Sequence, residues 1–226
     1  FLNDAVPEEH KNGIDMGRDL LRRSRVLVVC GHSVTEAMKN DIAVAQRLGI
    51  AYYDKELVKQ VSLETGFDPK FVEERGEFAG KTNWLTWIMD QGAGTPGVMN
   101  GLNATDFLWT IQREVILRLA DKEPCVIVGR CADYILRKRK DCLHAFIHAD
   151  MDFRADRIVR LYGESENSPE KRLQDKDARR RVNYKHFTHR EWGMAQNYHI
   201  TLNSGVVGIE RCVDILARLY EQGVQA

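Results

Sequence analysis

The chain has 226 residues, 43% of them apolar and 29% charged, enough for one large α/β domain or for a core domain with a mobile subdomain. Lys plus Arg and Asp plus Glu both number 33, so the formal net charge is zero, which argues against wholesale nucleic-acid binding. No apolar run approaches the ~18 residues of a membrane span, and residues 1–24 are mixed and charged with no signal-peptide pattern, so a cytoplasmic location is expected.

Residues 1–24 start loosely and turn helical from about Glu8 to Arg23, an accessory N-terminal helix with a weak apolar stripe. Val26-Leu-Val-Val29 follows, an uninterrupted apolar run of the kind seen in strands buried on both faces of a parallel sheet. Cys30-Gly-His-Ser-Val-Thr-Glu36 leads into a helix from Ala37 to Leu48, which Gly49 ends. Strand, hydroxyl-bearing turn and helix form the arrangement in which backbone N–H groups hold a phosphate. A Walker-type loop also needs several glycines and a lysine, whereas this stretch has one glycine, Gly31, and its nearest lysine is Lys39. As motif evidence the signal is weak, and the stretch reads first as an ordinary strand-turn-helix unit.

Ala51-Tyr-Tyr-Asp54 is a short strand ending in a carboxylate. Lys55 to Thr65 is helical, Gly66 stops it, and Pro69 takes the first position of a further helix. Lys81 to Gln91 carries the aromatic stripe Trp84, Leu85, Trp87 and Ile88, read as core. Gly92-Ala-Gly-Thr-Pro-Gly97, with Gly101, has the composition of an active-site lid connection.

Thr105 to Asp121 is a helix whose buried stripe is Leu108, Ile111, Val115 and Leu119. The stretch Pro124-Cys-Val-Ile-Val-Gly-Arg-Cys-Ala-Asp133 organises the chain. Val126, Ile127 and Val128 form a second buried strand, Gly129 ends it, and Arg130 and Asp133 follow at once. Ligands of open parallel sheets bind beyond the carboxyl ends of the strands. An arginine delivered there suits an anion, with phosphate the obvious candidate; it can equally cap its own helix or pair with a surface carboxylate.

Leu143 to Ala149 is another strand, on which His144 and His148 share a face by alternation without the company of a metal site. Asp152 to Tyr162 is helical, with Arg154, Arg157 and Arg160 on neighbouring turns. Residues 168–188 are the most charged part, either a solvated helix face or a phosphate-binding lid rich in arginine. Tyr198 to Asn203 is the last strand, and Ile209 to Tyr220 is an amphipathic closing helix. Five short strands alternating with helices imply a parallel sheet covered on both faces. The five cysteines form no Cys-x-x-Cys pair and read as buried thiols.

With these residues on the page, the chain resembles the cytidylate kinase-like family of P-loop nucleoside monophosphate kinases from about Val26 to Tyr220. The resemblance rests on Leu48 to Leu57, on Gln112-Arg-Glu-Val-Ile116, on Pro124 to Asp133, and on Asp177-x-x-Arg180 with Tyr184, Thr188, Trp192, Asn197 and Tyr198. It implies a three-layer α/β/α domain over residues 25–226 with a five-stranded parallel sheet of P-loop kinase type. A helical lid over about 163–190 and an acceptor-side helical region over about 54–104 would complete it. The implied reaction moves the γ-phosphoryl group of ATP, with Mg²⁺, to CMP or dCMP. Small-molecule nucleotides would be the partners, with no nucleic acid or membrane. By position, Tyr53 and Asp54 would line the monophosphate pocket, Arg130 would hold the acceptor phosphate, and Asp133 the base or sugar. Arg172, Arg179 and Arg180 would close over the phosphates, Arg179 on the ATP side, with Asp177 orienting an arginine. Gly31, Ser33, Thr35 and Lys39 would serve the ATP loop. The departure from the family is in that loop: Val34, Glu36 and Ala37 stand where glycines are expected, and Glu36 would repel phosphate. The competing expectation is a non-catalytic nucleotide-binding relative that has lost the ATP loop, and a third is a small-molecule kinase with another acceptor.

Overall fold

The computed structural model describes residues 24–32, 37–76 and 104–223. The expected N-terminal helix, the aromatic stripe of residues 81–91, the glycine-rich connection after it, and Ser33 and Thr35 lie outside the described residues, as does the side chain of Lys39. In chain order the elements are β1 (Val26–Gly31), α1 (Ala37–Leu48), β2 (Ala51–Tyr53), α2 (Lys55–Thr65), α3 (Pro69–Gly76), α4 (Ala104–Lys122), β3 (Cys125–Val128), α5 (Ala132–Ile135), β4 (Cys142–His148), α6 (Met151–Tyr162), α7 (Pro169–Thr188), a 3₁₀ turn (Ala195–Asn197), β5 (Ile200–Asn203), α8 (Ser204–Val207) and α9 (Ile209–Gln222).

The five strands form one parallel sheet in the order β2-β3-β1-β4-β5. The apolar runs are buried on both faces because alternate residues of each strand enter different cores. Val26, Val28, Cys30, Cys125, Ile127 and Phe146 pack on one side with Leu57 and Val61 of α2, Phe71 and Val72 of α3, and Leu108 and Val115 of α4. Leu27, Val29, Val126, Ala145 and Ile147 pack on the other with Val44 and Ala45 of α1 and Cys212, Val213 and Leu216 of α9. The expected three-layer α/β/α architecture is therefore present. All five cysteines are buried thiols, none of them in a disulfide. No helix among the described residues is long and apolar enough to cross a membrane.

Strand order also locates the ligand crevice. β1 and β3 are neighbours, yet the chain leaves β1 toward β2 at one edge and leaves β3 toward β4 on the opposite side. Connections that diverge from adjacent strands open a crevice at their carboxyl ends, the topological switch point of such sheets. Gly31 ends β1 there, and the turn after Val128 ends β3 there.

One buried group makes stability depend on pH. His144 of β4 is 4% exposed, and neither ring nitrogen has a hydrogen-bond partner among the described residues. Its ring lies 4.9 Å from that of His199, and burial pushes its imidazole from 6.5 down to about 4. In the window between those values the unfolded chain holds a proton that the folded one does not, so stability falls as pH drops from 6.5 toward 4. The share due to His144 at about pH 4.5 is on the order of 2–3 kcal/mol. Urea denaturation at about pH 7.5 and 4.5 should show this loss in the wild type and a correspondingly smaller one in His144→Leu; equal losses in both would remove His144 from the explanation.

Candidate functional site

The turn that leaves β3 is strained. Gly129, Arg130 and Cys131 are consecutive residues with φ of 61°, 56° and 55°. Glycine tolerates this region freely, but each of the other two costs about 1–2 kcal/mol there. Strain of this kind persists where the surroundings over-determine it, commonly at functional sites. Here the Gly129 N–H donates to the Val29 carbonyl at 3.0 Å, and the Ala132 N–H donates to the Gly129 carbonyl at 2.9 Å. The Arg130 side chain is 8% exposed, and its Nη1 donates to the carbonyls of Val72 and Glu73, each at 3.4 Å. Those carbonyls lie midway along α3, so the guanidinium ties the turn to that helix.

The charged stretch of the sequence forms one continuous helix, α7. Ser168 caps it, accepting from the Lys171 N–H at 3.3 Å, and Pro169 takes its first turn. Asp177, Arg180, Tyr184 and Thr188 recur at three- and four-residue intervals and so line one face. That face lies on the switch point. Arg180 Nη1 donates to the Gly31 carbonyl at 3.3 Å, and Tyr184 donates its hydroxyl to Asp133 Oδ2 at 2.6 Å. The helix thus touches the ends of both strands that border the crevice. Its remaining end is held by the stacked rings of Trp109 and Phe187, 4.3 Å apart.

Behind this face, Asp177 accepts from Arg154 Nη1 of α6 at 2.6 Å, the two residues being 1% and 5% exposed. Asp177 thus pairs with Arg154 of α6. Asp133 is 3% exposed and also accepts from the Cys30 thiol at 3.5 Å. Burial raises the Asp133 carboxyl, with the hydrogen bonds from Tyr184 and Cys30 opposing. Burial likewise raises the Cys30 thiol, so it serves as a donor and not as a nucleophile. His32, just past β1, packs its ring 5.4 Å from Phe146 and from Trp192, and burial lowers it to about 4, leaving it neutral.

The remaining expected residues scatter around this centre. Asp54 is partly buried at the N-terminal boundary of α2, with no side-chain capping bond. Tyr53 is turned away: its hydroxyl donates to Glu123 Oε1 at 2.6 Å, at the entry to β3 and not at its carboxyl end. Arg172 Nη1 donates to the Gly163 carbonyl at 2.9 Å and so braces the junction of α6 and α7. Arg179 is on the exposed side of α7. The structure thus brings Gly31, Arg130, Asp133, Asp177 and Arg180 together and leaves Tyr53, Arg172 and Arg179 outside that group. Arg154, Cys30 and His32 belong to the centre but had no role in the sequence reading. Their signal is weak, since Arg154 is one arginine among several on its helix and a lone thiol or imidazole after a strand carries no spacing.

Among the described residues no group of three or more His, Cys, Asp or Glu could hold a metal ion.

A family model described as "Cytidylate kinase-like family" matches residues 35–206. A second, a domain of unknown function, matches residues 1–54 and overlaps the first. No curated protein matches. Among solved structures, an uncharacterized protein from Eubacterium ventriosum is 21% identical with a TM-score of 0.63, over 87% of this chain and 98% of that one. A shikimate kinase from Bacteroides thetaiotaomicron is 14% identical with a TM-score of 0.51, over 87% of this chain and 98% of that one. At these identities the likeness is one of fold, and the fold is that of P-loop kinases.

Proposed function

The chain belongs to the cytidylate kinase-like family, and from that premise we propose that it is a cytoplasmic phosphotransferase that moves the γ-phosphoryl group of ATP to a nucleoside monophosphate, CMP or dCMP first. The observation that carries this reading is the bridge from α7 to the switch point: Arg180 at the end of β1 and Tyr184 at Asp133 beyond β3. Phosphoryl transfer asks little covalent chemistry of a protein; it needs positioning, charge neutralisation and exclusion of water. An oxygen of the acceptor phosphate attacks the γ-phosphorus in line, the bond to the β-phosphate oxygen breaks, and ADP leaves. Arg130 holds the acceptor phosphate. Arg180 stands over the end of β1 and stabilises the charge on the group in transit. Asp177 and Arg154, locked together, fix the face of α7 from which Arg180 projects. Mg²⁺ accompanying ATP would supply further charge neutralisation on the phosphate oxygens.

A coupled ADP-release assay over CMP, dCMP, UMP and AMP tests the reading. Turnover with one of them is expected, and none with any, in protein shown to be folded, rejects it. Val34, Glu36 and Ala37 in place of glycines favour a second reading, a non-catalytic relative that keeps the acceptor pocket. Calorimetry separates the two, because that relative would take up CMP and not ATP. In either case Arg130→Ala should weaken CMP binding by about 2–4 kcal/mol, the range for losing one partner of a buried charged hydrogen bond. Equal CMP affinity in mutant and wild type would take the acceptor phosphate away from Arg130.

A further inference from the structure

Gln112 lies on α4 and is 1% exposed. Its Nε2 donates to the main-chain carbonyl of Arg130 at 3.3 Å. Its Oε1 is buried with no hydrogen-bond partner among the described residues. The amide orientation follows from the carbonyl it faces, since the flipped amide would set two acceptors against each other. As packing alone this is a poor choice. Leucine or methionine would fill the volume without leaving a buried acceptor unsatisfied. What the amide has and they lack is a donor, and the donor is aimed at one atom in the middle of the left-handed Gly129–Cys131 turn.

We propose that Gln112 is a positioning residue: it clamps this turn from α4 and so presents Arg130 to an anionic acceptor at the carboxyl ends of β1 and β3. The ligand half of the proposal rests on the acceptor role given to Arg130 above. Two helices then hold Arg130 at two points, α4 through its carbonyl and α3 through its guanidinium. A non-glycine residue at φ 56° relaxes to negative φ when its backbone is released. That rotation would swing the Arg130 side chain out of the crevice while leaving the fold intact.

The test compares wild type with Gln112→Leu and Gln112→Glu by amide hydrogen exchange at Ala132, whose N–H is bonded inside the turn, and by calorimetric titration with CMP and with ATP. In Gln112→Leu the melting temperature should stay within a few degrees, Ala132 should exchange at least about 10-fold faster, and CMP affinity should fall about 10-fold with ATP unaffected. A protonated glutamic acid can donate to the Arg130 carbonyl and an ionised one cannot. The ratio of CMP affinities, Gln112→Glu over wild type, should therefore be near one at about pH 5.5 and fall toward the leucine value by about pH 9. General loosening of the core would not produce that profile. Unchanged Ala132 exchange in Gln112→Leu, or a flat ratio, overturns the proposal. If the leucine variant does not fold, Ala132 exchange in Gln112→Glu, followed over the same pH range, decides. If the wild type takes up no CMP, the acceptor reading fails by itself, and Ala132 exchange still decides whether Gln112 holds the turn.

Discussion

Arg180→Ala is expected to lower turnover by about 10³-fold while changing the affinities for CMP and ATP little. The guanidinium is half-buried over the last residue of β1, its Nη1 on the Gly31 carbonyl at 3.3 Å. The carbonyl is a resting partner, since a neutral acceptor competes poorly with a phosphate oxygen for the same donor. Arriving phosphate should therefore draw Arg180 away from Gly31 and onto the group being transferred. A cation that meets charge as it develops acts on the chemical step more than on ground-state binding, hence a fall in kcat with KM nearly constant. Arg180→Lys should recover only part of the loss, because a single ammonium cannot reproduce the planar fork. Steady-state ADP release for the three proteins, with melting curves beside them, checks this. Undiminished kcat in Arg180→Ala would mean that α7 contributes no charge to the reaction.

Asp177→Ala should destabilise the fold by about 3–5 kcal/mol, because it leaves the buried Arg154 charge without its carboxylate. Both residues are almost wholly out of solvent, and the contact between them is charge-assisted at 2.6 Å. The exposed pairs differ in kind. Arg47–Asp214, Arg118–Glu64 and Lys185–Glu191 all remain solvated, and removing any one should cost at most about 1 kcal/mol. Urea denaturation distinguishes the classes. The double variant Arg154→Met with Asp177→Leu should regain most of the stability lost by Asp177→Ala, since an apolar pair needs no compensating charge. It should not regain turnover, because Arg180 would lose the fixed helix face from which it projects. Stability of Asp177→Ala within 1 kcal/mol of wild type would show that the pair is not the anchor of α7.

The sheet was legible in the sequence because burial on both faces leaves an unmistakable mark. Val26–Val29 and Val126–Val128 have no polar alternation, and both belong to interior strands of the sheet. The helix of residues 37–48 could be bounded from Gly49 and the helix of 55–65 from Gly66, since φ of 64° and 72° suits glycine. The site was legible in part. Arg130 and Asp133 stand out because charge follows a buried strand at once, but nothing in Gly129-Arg130-Cys131 announces three left-handed residues in a row. Arginine and cysteine usually avoid that region, and the bonds that α3 and α4 make to Arg130, with the Gly129 bond to β1, help hold the turn there. Tyr53 illustrates the opposite limit. It sits near the expected position on the strand, but a tyrosine is long enough to reach back to Glu123, and the direction is set by packing. The charged run of residues 168–188 has polar groups on every side, so its inward face could not be read from periodicity. Contact with Gly31 and Asp133 selects Arg180 and Tyr184 over Arg179 and Lys185.

The most direct test joins the two halves of the site in one ligand. A probe with cytidine and adenosine linked 5′ to 5′ through five phosphates spans a phosphoryl donor and its acceptor, and it should be titrated into the protein by calorimetry beside CMP and ATP alone. If α7 and the ends of β1 and β3 grip adjacent phosphates, the linked probe should bind at least about 100-fold tighter than either nucleotide, and Arg180→Ala should remove most of that advantage. A probe that binds no tighter than CMP alone, with the same affinity in Arg180→Ala, would contradict a shared phosphate crevice.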